Sequence, residues 1–108
     1  MECILIGDTG SGNNDQYLVA NSTEKLIKKY PKIRCVILVG DNIYENGCTS
    51  VEDKQFITKF QEPYKNINLP FYLCLGNHDY GNSSHNSQIQ IQYTFMKLQV
   101  IIVKQWML

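Results

Sequence analysis

Three short apolar runs, each closed by a glycine and then an acid or amide, punctuate the first 80 residues. Residues 3–6 lead into Gly7-Asp8, residues 35–39 into Gly40-Asp41, and residues 71–75 into Gly76-Asn77. Runs of four or five apolar residues without polar alternation fit strands buried on both faces, as in parallel sheets. Between the first two, residues 14–30 hold Tyr17, Ala20, Ile27 and Tyr30 near helical spacing. Asn13 or Asn14 supplies an N-cap there, Lys28 and Lys29 suit the last turn, and Pro31 stops the helix. Between the second and third runs, residues 51–61 place Phe56 and Phe60 one turn apart, and Pro63 ends that stretch. Beyond Tyr80 the pattern predicts a polar loop over residues 81–87. Residues 88–93 alternate Gln with Ile or Tyr, which predicts a half-exposed strand. Residues 95–108 are apolar and unpunctuated and yield no assignment.

The order strand, helix, strand, helix, strand predicts an α/β fold with a parallel sheet. Right-handed crossovers bring the three strand C-termini to one sheet edge, where open α/β sheets bind ligands. The three corners therefore meet in space although Gly7, Gly40 and Gly76 lie 33 and 36 residues apart.

Composition narrows the choice of partner. The 108 residues fit one domain and bury roughly two-thirds of the unfolded surface. Ten basic and ten acidic residues cancel, leaving no basic footprint for nucleic acid or an anionic membrane. No apolar run approaches the roughly 18 residues a membrane span requires, and Glu2 beside a first strand leaves no space for a signal peptide. The expectation is a cytoplasmic protein with no membrane contact. Cys3, Cys35 and Cys74 sit in apolar runs and read as reduced core thiols. The sequons at Asn21 and Asn82 matter only in a secretory setting.

The corners carry the chemistry. Asp8, Asp41 and Asn77 offer hard oxygen donors, Tyr44 a phenolate and His78 an imidazole. Carboxylates gathered without counter-charge suppress one another's ionisation, a conflict that multivalent cations resolve. Oxygen ligation with a phenolate favours a hard, highly charged ion such as ferric iron. Glycine-rich Gly7 to Gly12 is superficially like a phosphate loop, but it lacks the Lys-Ser/Thr ending and Asp8 repels phosphate.

Gly7-Asp8-Thr9-Gly10, Gly40-Asp41-Asn42-Ile43-Tyr44 and Gly76-Asn77-His78-Asp79-Tyr80 resemble the first three of five signature motifs of calcineurin-like metallophosphoesterases. Gly10 stands where most of that superfamily has a ligand histidine, and Tyr44 stands where the purple acid (tartrate-resistant) phosphatase branch has its ligand tyrosine. The likeness is to that branch and covers about residues 3–93. It implies a partial metallophosphoesterase-type α/β sandwich and hydrolysis of small phosphate monoesters at a binuclear metal centre, Fe(III) with Zn, Fe or Mn. By the same resemblance Asp8 and Tyr44 bind iron, Asp41 bridges the metals, Asn77 binds the second metal, and His78 faces the phosphate or its leaving oxygen. Two such metals clamp the ester and activate a water for in-line attack.

The fourth and fifth motifs, which supply three more histidines, are missing. Only His78 and His85 occur, and His85 reads as a solvated loop residue. Residues 1–94 thus read as the N-terminal half of the domain and residues 95–108 as an unassigned tail, explicable by truncation after a reading-frame change. The second metal site is expected to be incomplete, activity impaired, and apolar surface left uncovered where the family has a second sheet. Two other readings stand: a non-catalytic metal-binding or interaction remnant, completed by a partner chain bearing the histidines, and a phosphodiesterase of the same superfamily.

Overall fold

The three apolar runs become the three strands of one parallel sheet, ordered β1-β2-β3. The computed structural model describes residues 1–82 and 84–93, so the tail lies outside the described residues. Strand β1 spans Glu2–Ile6, β2 Ile33–Leu38 and β3 Phe71–Leu73. Register aligns Ile4 with Val36 and Phe71, Leu5 with Ile37 and Tyr72, and Ile6 with Leu38 and Leu73. Because strand side chains alternate between faces, the first and third of these rows share a face. That face is the core: Ile6, Val36, Leu38, Phe71 and Leu73 pack there with Ala20, Phe60, Tyr64 and Ile67.

Helix α1, Asn14–Lys29, lies over this face through Ala20 and Ile27. Of the two candidate caps the structure selects Asn13, whose side-chain oxygen accepts from the amides of Asp15 (3.0 Å) and Gln16 (3.3 Å). Such a cap stabilises a helix by about 1 kcal/mol. The opposite face is poorly covered among the described residues. Leu5 is 66% exposed, Val39 just past β2 is 47% exposed, and Ile37 and Tyr72 are half-buried. Among the described residues this matches the apolar surface expected to be left uncovered where the family has a second sheet.

Two predicted elements differ. Residues 51–61 form no full helix; a single π turn, Ile57–Gln61, is closed by the Glu62 amide on the Ile57 carbonyl at 2.8 Å. The reason is divided burial. Phe60 joins the sheet core, whereas Phe56 belongs to a second cluster with Ile43, Cys48, Ile89 and Tyr93. Residues 88–93 are not a strand but the end of helix α3, Ser84–Tyr93, which also takes up part of the expected loop. Ile89 and Tyr93, one turn apart, both point into the second cluster, where the Tyr93 ring stacks on Phe56 at 3.8 Å. Between β3 and α3 lies the short helix α2, Asn77–Tyr80.

The cysteines also depart from expectation. Cys3 and Cys35 are register partners on adjacent strands, with Cα atoms 5.0 Å apart, and they form a disulfide. Neighbouring side chains on one sheet face meet the spacing a disulfide needs, a pairing that apolar context alone hides. Cys48 and Cys74 are free, and burial pushes the Cys48 thiol up to about 12. At pH 8 only about one Cys48 in ten thousand is then thiolate. Iodoacetamide is expected to leave Cys48 unmodified in the native protein and to label it once urea is added, as peptide mass spectrometry would record. Among the described residues no helix is long and apolar enough to cross a membrane.

Candidate metal centre

The C-terminal ends of all three strands meet, and backbone bonds join their corners. The Asp8 amide donates to the Gly40 carbonyl (3.1 Å), the Gly10 amide to the Asp41 carbonyl (3.2 Å), and the Tyr44 amide to the Gly10 carbonyl (2.8 Å). Gly10 is thus held from both sides by the second corner. A Cβ there would stand 2.0 Å from the Asn42 carbonyl oxygen, closer than any real contact. Only glycine admits this approach. Asp8 and Asp41 both adopt left-handed backbone, with φ of 58° and 53°. Aspartate tolerates that region better than most residues, at about 1 kcal/mol.

Asp41 is the hub. Its Oδ1 accepts the His78 backbone amide at 3.0 Å, and its Oδ2 accepts from the Tyr44 hydroxyl at 3.4 Å. The Tyr44 and His78 rings lie against each other, with centroids 4.5 Å apart. Burial first, and then the negative charges of Asp41 and Asp8, raise the Tyr44 phenol above its ordinary pKa. The His78 Nδ1 lies 2.7 Å from the Glu45 carbonyl oxygen. A carbonyl only accepts, so Nδ1 carries the proton in this bond and Nε2 keeps its lone pair in the neutral ring. Asn77 is exposed at the first residue of α2. All five residues singled out in the sequence therefore fall at one sheet edge; His85 sits apart, exposed on α3.

Two groups escaped sequence reasoning. Asp79 is fully buried, and its carboxylate accepts the amides of Asn42 (2.9 and 3.1 Å), Ile43 (2.9 Å) and Gly76 (2.8 Å), together with the Gln90 side-chain amide (2.8 Å). It binds the second corner to the third. Gln16, 2% exposed, accepts the Gly12 amide (2.7 Å) and donates to the Lys59 carbonyl (2.7 Å) and the Tyr64 hydroxyl (3.3 Å). Tyr64 in turn meets the Thr9 hydroxyl at 2.9 Å. A polar residue on the core side of an amphipathic helix was the available signal for Gln16.

The donor set here is two carboxylates, a phenol and an amide, and it fits one hard, oxygen-preferring cation. The same anions that raise the Tyr44 pKa would attract such an ion. Among the described residues no group of three or more His, Cys, Asp or Glu is placed to hold a metal. A second ion would find only Asp41 and Asn77 among the singled-out residues.

Comparisons with known proteins bear on the family. A model of the calcineurin-like phosphoesterase family matches residues 1–106. Purple acid phosphatase 4 of Arabidopsis thaliana is 40% identical over 80 residues, covering 71% of this chain and 23% of that protein. Tartrate-resistant acid phosphatase type 5 of Oryctolagus cuniculus is 28% identical over 111 residues, covering 95% of this chain and 31% of the relative. A solved structure, described as GAP50, the anchor in the inner membrane complex of Plasmodium, superposes with a TM-score of 0.74 at 19% identity. It covers 98% of this chain and 33% of its own. The chain thus spans between about a fifth and a third of the length of the curated relatives it matches. Strand order and the match over nearly its whole length agree: this chain belongs to the calcineurin-like phosphoesterase family, and within it is similar to the purple acid phosphatases.

Proposed function

We propose that the corner residues form part of an acid-phosphatase site that hydrolyses small phosphate monoesters. The observation that carries this reading is Asp41, which accepts from both the Tyr44 hydroxyl and the His78 amide and so joins donors from two strand ends. Asp8, Asp41 and Tyr44 would hold ferric iron, and Asp41 with Asn77 a second ion, zinc, iron or manganese. When bound, such metals supply Lewis-acid charge to the phosphoryl oxygens and an acidified water. The protein's own part is positioning. Asp41 fixes the backbone of His78, and the Glu45 carbonyl orients its ring, so that Nε2 can face the ester or its leaving oxygen. A protonated His78 would stabilise the departing alkoxide.

A second reading is a non-catalytic module. It is favoured by the donor set itself: among the described residues no group of three or more His, Cys, Asp or Glu is placed to hold a metal. In this reading a partner chain supplies the remaining imidazoles, or the fold serves binding alone, since fold does not fix function. Hydrolysis of p-nitrophenyl phosphate by the chain loaded with iron plus zinc or manganese decides between them. The phosphatase reading expects turnover that falls at least about a hundredfold in Asp41→Ala, the scale of losing one electrostatic group. Equal background rates in both proteins would support the non-catalytic module instead.

A further inference from the structure

Behind the second corner lies a cation that the metal reading does not use. Lys59 sits half-buried in the π turn. Its Nζ donates to the Tyr44 backbone carbonyl and, at 2.9 Å, to the Gln55 side-chain oxygen. The ion pairs among the described residues do not include it. The ammonium is therefore committed to two neutral oxygens, and charge-assisted bonds of this kind are roughly twice as strong as neutral ones. Its other end is tied down as well. Gln16 holds the Lys59 carbonyl at 2.7 Å while accepting the Gly12 amide, and a Cβ at Gly12 would lie 3.0 Å from the Lys59 Cγ.

The bonded carbonyl belongs to a segment with two tasks. Tyr44 directs its hydroxyl to Asp41, and the next carbonyl, that of Glu45, orients the His78 ring. We propose that Lys59 is a positioning residue for Tyr44 and, through Glu45, for His78, referencing both to the first corner by way of Gln16. The proposal rests on the reading of Tyr44 as a metal donor, yet its structural half can be measured without metal.

The test compares the full chain with Lys59→Met and Lys59→Arg. In metal-free protein, hydrogen exchange of the Tyr44 amide is expected to speed up at least tenfold in K59M. The amides of Val36 and Cys74, bonded to the Pro70 and Leu38 carbonyls, should stay within twofold of wild type. K59R, which keeps a charged donor, should restore most of the Tyr44 protection. With ferric iron added, the wild-type tyrosinate-to-iron absorption band should shift or weaken at least threefold in K59M. An unchanged Tyr44 amide in K59M overturns the proposal. So does equal acceleration at Val36 and Cys74, which would mean general loosening. If wild type shows no iron band, the metal reading fails, while the exchange data still decide the role of Lys59.

Discussion

Asp79→Ala is expected to remove a large part of the chain's folding stability. The carboxylate is fully buried and satisfies three backbone amides and the Gln90 side chain. Removing it strands those donors away from water, at about 1–3 kcal/mol for each buried group left unsatisfied. Because neighbouring losses are not additive, a total of roughly 3–5 kcal/mol is the reasonable figure, as for breaking a buried charged network. A domain of this size has only about 5–15 kcal/mol in hand. Asp79→Asn should fall between, since one oxygen and the shape survive while the amide nitrogen confronts a donor. Urea titration followed by circular dichroism would rank the three proteins. A midpoint for the alanine variant equal to wild type would show that the corners hold together without this carboxylate.

Gly10→Ala should be nearly as damaging, and for a steric reason. The added methyl meets the backbone oxygen and carbon of Asn42 at 2.0 and 2.1 Å, and backbone cannot swing aside as a side chain can. The first corner must withdraw, breaking the bonds from Gly10 to Asp41 and from Tyr44 to Gly10. Overpacking and lost bonds together should cost about 2–4 kcal/mol. At the proposed site, ferric iron affinity measured by titration of the tyrosinate band should fall by more than tenfold. Gly7→Ala is the control, because its methyl would meet only a Val39 side-chain carbon at 2.9 Å. If the two variants were equally stable, the close approach of the first two corners would have to be adjustable after all.

The framework of this site was legible because it is written in local signals. Apolar runs ending in glycine marked β1, β2 and β3 to within two residues at each end, and Asn13 and Pro31 bracketed α1. The corner residues followed from the position of those ends. What escaped was decided by contacts between distant segments. The alternation over residues 88–93 suggested a strand, but Gln90 is buried because it reaches Asp79, so a polar position faced inward. Phe56 and Phe60 looked like one helical stripe, yet they serve different clusters. The Cys3–Cys35 bond depends on strand register, which a single chain segment does not reveal. Asp79 stood in a motif without a stated task, and Lys59 had no motif at all.

The wide spacing of the corners has a kinetic consequence. β1 pairs with residues more than 30 positions away, and β2 with β3 at a similar distance. Closing loops of that length is an entropic toll on the folding rate, and contacts of high sequence separation form late and slowly. No hairpin or lone helix holds even two of the corners together, so their donors meet only once distant strands have paired. At the proposed iron site, arrival of the tyrosinate band in a refolding experiment would therefore time the moment at which β1 and β2, whose corners carry Asp8, Asp41 and Tyr44, stand side by side.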